Sequence, residues 1–158
     1  MKKLLFLSVS ILLSAFMLIS CDNKGYVDLG LPSGTLWKAV NESGGDGFFP
    51  YNEAVSQFGG QLPTKEQWEE LKDYCEWTWR EPHGGYKVTG PNGKFIVLPA
   101  AGSRNCVGSV YGVGSNGDYW SSTPGGSDYA WSLLFFSSSV DMIGRNRCNG
   151  LSVRLVQD

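Results

Sequence analysis

The sequence predicts an α+β domain, on three observations. Helical spacing of apolar residues is confined to the first half of the chain. The second half is a run of short apolar and aromatic segments, and glycine, serine and asparagine crowd the joins between them. With 21 glycines in 158 residues and aromatic side chains at 13%, the composition is that of a domain built from short elements and tight turns.

The first element stands apart from that domain. Met1-Lys2-Lys3 is followed by an apolar run from Leu4 to Ile19, the layout of a secretion signal. The run is short for a membrane span, which needs about 20 apolar residues. Leu18-Ile19-Ser20-Cys21 resembles a lipobox, so residues 1–20 are read as a lipoprotein signal and Cys21 as the lipid-bearing N-terminus of the mature protein. Residues 21–25 are then a lipidated tether. Each buried CH₂ of the acyl chains contributes about 0.8 kcal/mol of membrane affinity, and a diacyl anchor is stable.

Residues 26–158 form the domain, long enough to bury roughly two thirds of its extended surface without a staple. Tyr26–Leu31 and Thr35–Val40 read as strands joined through Pro32-Ser33-Gly34, and 41–47 as a loop. Tyr51–Phe58 reads as a short helix stopped by Gly59-Gly60. Thr64 and Gln67 make a capping box for a second helix, with Trp68, Leu71 and Cys75 on one face. Its acids Glu66, Glu69, Glu70 and Asp73 read as a solvated face rather than as ligands. Strands are expected at 77–79 and 86–88, then across an Asn92-Gly93 turn at 95–98, and at 119–123, 130–136, 140–143 and 151–156.

Charge excludes one class of partner. Without Lys2 and Lys3 the 13 basic residues become 11 against 15 acidic ones, and no basic stripe appears, so nucleic acid is not expected. Three cysteines follow Cys21: Cys75, Cys106 and Cys148. Outside the cytoplasm a pair can oxidise, and Cys106–Cys148 or three unpaired thiols are both open from sequence.

Five phrases occur in order: Tyr26-Val27-Asp28-Leu29-Gly30-Leu31-Pro32-Ser33-Gly34-Thr35-Leu36-Trp37, Leu62-Pro63-Thr64-Lys65-Glu66-Gln67-Trp68, Leu98-Pro99-Ala100-Ala101-Gly102, Tyr119-Trp120-Ser121-Ser122-Thr123 and Ser152-Val153-Arg154. Together they resemble the major paralogous domain (FISUMP) of secreted and lipid-anchored bacterial proteins. The resemblance implies a C-type lectin-like fold: two short helices, a twisted antiparallel sheet, a long loop-rich region and paired termini. That fold is shared with formylglycine-generating enzymes and with variable receptors, so function has to be argued from residues.

The residues point away from chemistry. His83 is the one histidine, in Glu81-Pro82-His83-Gly84-Gly85, a context that supports no nucleophile–base pair. Zinc spacings and phosphate-cradling loops are missing, and Glu81-Pro82-His83 is a poor match to the calcium ligands of sugar-binding lectins. No enzyme, no metal and no cofactor is therefore expected. The runner-up is a formylglycine-generating type of enzyme. It requires Cys106 and Cys148 to meet and share copper, and sulfurs too far apart for that would eliminate it.

A composition shift carries the functional reading. From Phe95 to Val156 there is no Lys, Glu or Gln. One explanation is a β-and-loop region poor in long flexible side chains. The other comes from resemblance: 102–156 is similar to the variable region of proteins diversified by a retroelement that rewrites adenines of asparagine codons, which cannot yield those residues. Trp120, Trp131 and Met142 are then fixed scaffold, and Cys106, Tyr111, Gly112, Asp118, Asp128, Ser132, Leu134, Phe136, Ile143, Arg145 and Cys148 are the candidate variable, ligand-binding positions. Ser132, Leu134 and Phe136 share a strand face, as do Asp141, Ile143 and Arg145, while Leu133 and Phe135 face the core. Tyr111, Tyr129, Trp131 and Phe136 can supply contact area and Arg145 and Arg147 can bind carboxylates. The expected function is a lipid-anchored ligand-binding protein of the cell envelope, on the outer membrane or cell surface, as receptor or adhesin for a protein or glycan. A structural subunit of an envelope complex is the remaining alternative.

Overall fold

The structure, a computed structural model, describes residues 25–158. The signal, Cys21 and most of the tether lie outside the described residues. Among the described residues no helix is long and apolar enough to cross a membrane.

The domain is α+β, with mostly antiparallel sheets and two short helices. Strands β1 (Tyr26–Asp28) and β2 (Leu36–Lys38) pair antiparallel, and the last strand, β13 (Val156–Gln157), joins the other edge of β2, so both ends of the domain share one sheet. Strand β3 (Phe49–Pro50) leads into α1 (Tyr51–Phe58), and α2 (Lys65–Tyr74) follows a short 3-10 turn. The capping box forms as the sequence implies: Gln67 N donates to Thr64 Oγ1 at 3.1 Å and Thr64 N donates to Gln67 Oε1 at 2.9 Å. Trp68 and Leu71 are fully buried. Glu70 leaves the solvated face to accept from Ser33, tying α2 to the β1–β2 turn.

Strands β4 (Glu76–Trp79), β5 (Gly85–Thr89) and β6 (Phe95–Pro99) make a meander, with β5 and β6 joined at the Asn92-Gly93 turn. Strands β7 (Ser103–Arg104) and β8 (Val110–Tyr111) form a small hairpin. It joins β12 (Gly150–Leu151) and β3 in a four-stranded sheet whose end strand is β8. The longest strands, β9 (Asn116–Pro124), β10 (Tyr129–Phe136) and β11 (Ser139–Asn146), form a separate sheet with β10 in the middle.

That last sheet divides the interior in two. Successive side chains of a strand point to opposite faces, so neighbouring Tyr119 and Trp120 enter different cores. Tyr119, Leu133 and Phe135 join Trp37, Trp68, Leu71, Val88, Ile96 and Leu98. Trp120 and Ala130 join Phe49, Tyr51, Ala54, Leu62, Leu151, Val153 and Leu155. Both indoles that bridge the division are satisfied: Trp68 Nε1 donates to Trp120 O at 3.2 Å and Trp120 Nε1 to Phe49 O at 2.7 Å. The scaffold assignments differ in degree. Trp120 is fully enclosed, Met142 packs half-buried against the first core, and Trp131 is half-buried under the Lys65 ammonium, 4.1 Å from its ring centre.

The strand expected over 151–156 is interrupted. Only its two ends enter ladders, because the chain crosses there from one sheet to another. Between them Val153 O accepts from Glu42 N of a loop at 2.9 Å and Leu155 O from Lys38 N at the end of β2 at 2.9 Å, so single contacts replace a continuous strand partner. Arg154 lies in this crossing with no exposed surface. Its Nε donates to Asn41 Oδ1 at 2.9 Å, Nη1 to Lys38 O at 2.8 Å and Nη2 to Val97 O at 2.6 Å. One side chain thereby joins the C-terminal segment, the first sheet and the meander.

Candidate functional site

The β7–β8 hairpin is held at its base by packing and hydrogen bonds and at its exposed tip by a disulfide. Gly102 sits at φ +76° against the Tyr111 carbonyl, where a Cβ has no room, and its N donates to Asn116 O at 2.8 Å. Ser103 is fully buried, and Arg104 donates from Nη1 to Asp46 Oδ2 at 2.7 Å and from Nη2 to Phe48 O at 3.2 Å. Beyond Arg104 the turn is closed by its own groups: Asn105 Oδ1 accepts from Val107 N at 3.1 Å and Ser109 N at 2.9 Å. The tip is exposed, Val107 at 87%, and Cys106 there is disulfide-bonded to Cys148, with Cα atoms 5.0 Å apart. The pairing that the sequence leaves open is thus resolved. In the chain-entropy model a loop of this size contributes about 4 kcal/mol.

Gly112 follows the hairpin at φ +75°, with Asn116 Oδ1 directly where its Cβ would be. A side chain at 112 is therefore strained by both backbone conformation and the Asn116 amide, which argues against a freely varied position there. Gly112→Ala is expected to cost about 2 kcal/mol or more from backbone strain and overpacking together, readable as a lower midpoint in urea unfolding.

The neighbouring surface is one face of the long sheet. The register places Asn116, Phe136 and Ser139 side by side, then Asp118, Leu134 and Asp141, then Trp120, Ser132 and Ile143, and finally Ala130 and Arg145. Six of the expected site residues, Asp118, Ser132, Leu134, Phe136, Ile143 and Arg145, do share a face. That face is covered along β9, where Asn116, Asp118 and Trp120 are all buried, and at the Ala130 end of β10. Around Trp120 and Ala130 it packs into the second core, while toward Phe136, Ser139 and Asp141 it opens to solvent.

Asp118 and Ser132 lie on the covered part and are fully buried, so neither presents a side chain to a ligand. Both are corrected to internal residues. Asp118 Oδ2 pairs with Arg145 Nε at 2.7 Å. Burial pushes the Asp118 carboxyl above the usual carboxylate range, and the Arg145 cation pulls it back only in part. Ser132 stands close enough to favour the charged form, yet Asp118 Oδ1 and Ser132 Oγ both lack a hydrogen-bond partner of good geometry.

The remaining candidates divide by exposure. Phe136 and Tyr111 are each 44% exposed, Leu134, Ile143 and Arg145 are half-buried, and Asp128, Cys106 and Cys148 are exposed. Tyr129 and Trp131 belong to the opposite face of β10, across from Asn146 and Gly144, so they do not extend the Phe136 surface. Arg147 is committed to structure: Nη2 donates to Gly126 O at 2.7 Å, Nε to Tyr129 O at 3.2 Å, and the guanidinium lies 4.9 Å from the Tyr51 ring centre. It fastens the 125–129 turn rather than offering a carboxylate site. His83 is exposed in the β4–β5 turn.

Three contributors were missed by sequence reasoning: Val107, Val110 at 47% and Val113 at 69% exposed. The signal was present. Each is set among glycines and serines in 107–115, a pattern too broken to form the continuous face of a core strand.

Cys75 ends α2, half-buried, and burial with help from Glu70 pushes its thiol up to about 11. Below pH 9 its thiolate fraction is roughly a hundredfold under that of an ordinary thiol. Iodoacetamide at pH 8 followed by mass spectrometry is expected to leave Cys75 unmodified while an exposed reference thiol is consumed. For the formylglycine-generating alternative, separation does not eliminate Cys106 and Cys148, since their sulfurs are bonded. As a disulfide the pair offers no thiolate to a metal, so that alternative requires its reduction first. Comparison with known protein families, characterised proteins and solved structures finds no match to this chain.

Proposed function

We propose that this chain is a lipid-anchored, ligand-binding protein of the cell envelope with a C-type lectin-like fold, and that its contact surface joins the β7–β8 hairpin to the open end of the β9–β11 face. One observation carries the reading. Of the ten large apolar side chains exposed among the described residues, five (Val107, Val110, Tyr111, Val113 and Phe136) fall in or beside this hairpin and the open end of the sheet face, Tyr129 lying on the other face of β10. Exposed apolar residues gathered in this way mark interaction sites rather than ordinary surface. Tyr111 and Phe136 are rigid aromatic anchors, and the serines and asparagines between them give adaptable hydrogen bonding. The ligand is a protein or glycan bound without chemistry.

The lipid anchor and the diversification belong to the same proposal. Metabolic labelling with an alkyne palmitate analogue tests the first: the parent takes up label and Cys21→Ser does not, and label retained by the variant refutes the anchor. Protease added to intact cells then tests surface display, since digestion of the domain requires it to face outward. For diversification, the DNA beside the gene should hold a near-copy of the segment encoding 102–156 that differs only at adenines. Differences are expected at codons for exposed positions such as Tyr111, Asp128 and Phe136, and none at Asp118 or Ser132. A neighbourhood without such a copy removes the retroelement from the proposal and leaves the contact surface standing. Stable co-purification with one fixed partner would favour the structural-subunit alternative.

A further inference from the structure

The two joined cysteines occupy two different turns of the candidate surface. Cys106 lies in the β7–β8 turn and Cys148 in the turn between β11 and β12, and both are exposed. Neither belongs to a hydrophobic core. Among the described residues the remaining polar contacts of the 105–109 tip are chiefly with itself, whereas the base of the hairpin is fixed by buried Ser103, by Arg104 and by Gly102. The covalent link is therefore what fastens the tip to the long sheet.

We propose that Cys106–Cys148 is a thiol–disulfide exchange site, a latch that a dithiol reductant opens in the folded protein, releasing the hairpin tip while both cores stay intact. Exposed disulfides are the labile ones, because attack requires a thiolate to reach a sulfur in line with the bond. A thiolate of the dithiol attacks one sulfur of the pair, and the S–S bond breaks as a mixed disulfide forms. The second thiol of the same dithiol then displaces the remaining cysteine. Cys106 and Cys148 leave as thiolates and take up two protons, and the dithiol leaves as a disulfide carrying away the oxidising equivalents. The step is balanced with the dithiol as its one co-reactant.

The consequence for binding rests on the contact-surface reading given above. The tip and β8 carry Val107, Val110 and Tyr111, and a released tip has to be ordered again when a ligand binds, which weakens affinity. The latch itself is tested without a ligand, so its failure and the failure of that reading are distinguishable.

The test uses the full-length chain purified without reductant, treated with dithiothreitol under native conditions, then followed by alkylation mapping and amide hydrogen exchange. The expected result is alkylation of Cys106 and Cys148 with Cys75 unlabelled. Protection across 104–111 should fall at least about tenfold, and protection across β9 and β10 should be unchanged. Three results would overturn the proposal: a pair that stays oxidised in the folded protein at a dithiol concentration that reduces it in urea, reduction with no change of exchange at 104–111, or loss of protection in β9 and β10 together with the tip.

Discussion

Arg154→Leu is expected to lower stability by about 3–5 kcal/mol, because it strands several buried acceptors at once. Asn41 Oδ1, Lys38 O and Val97 O all depend on the one guanidinium, and the site is closed to water. For a domain of this size the loss corresponds to a Tm lower by roughly 15 °C. Arg154→Lys should recover only part of it. A single ammonium lacks the planar fork that reaches three acceptors on different elements, and burial already disfavours a cation there. The same pocket holds Tyr119, whose hydroxyl donates to Pro99 O at 2.7 Å and which burial pushes up to about 12, so it stays protonated and cannot supply the missing charge balance. A thermal melt by circular dichroism measures both variants. A Tm for Arg154→Leu within about 3 °C of the parent would contradict the hub.

The Asp118–Arg145 pair should give an unequal and pH-dependent response. Arg145→Ala leaves a buried carboxylate without its counter-charge, at an expected cost of about 3 kcal/mol at pH 7. Asp118 already has its folded pKa raised, chiefly by burial. A raised pKa means that the folded state holds the proton more tightly, so the stability Asp118 contributes is present below its unfolded value and lost as pH rises through the folded value. Removing Arg145 removes the largest opposing influence and raises that pKa further. The penalty of Arg145→Ala should therefore be small near pH 3.5 and full at neutral pH. Asp118→Asn removes the ionisable group and should cost under about 1 kcal/mol at pH 7, since the freed Arg145 is partly solvated. Combined with Arg145→Ala, it should restore much of the loss, a coupling that a double-mutant cycle reads directly. A penalty for Arg145→Ala that does not change between pH 3.5 and 7 would show that Asp118 is not the group responsible.

Local signals in the sequence were easy to read and long-range cover was not. Tyr51–Phe58 and the Thr64 capping box were legible because a helix announces itself through spacing and end residues close in sequence. The Asn92-Gly93 turn and the core side of β10, Leu133 and Phe135, were legible for the same reason. Strands β3, β7, β8 and β12 were not, since two-residue strands carry too little alternation to show in sequence, and β3, β7 and β12 are held by partners far along the chain. Period-2 alternation correctly placed Ser132, Leu134 and Phe136 on one face. It could not show that this face is covered along β9 and around Trp120 and Ala130, which leaves Ser132 and Asp118 inside. The structural roles of Arg147, read as a carboxylate binder, and of Arg154 were not legible, because backbone carbonyls as partners leave no trace in composition.

Site-specific photocrosslinking in the native host cell would show whether this surface meets another molecule. A benzoylphenylalanine is placed at Tyr111 or Phe136 on the proposed contact surface, and at Tyr74 as a control, which is 56% exposed at the far end of α2. Irradiation of intact cells should give a discrete crosslinked species from Tyr111 and from Phe136 and none from Tyr74. No adduct at either position, or the same adducts from Tyr74, would contradict a surface built for contact.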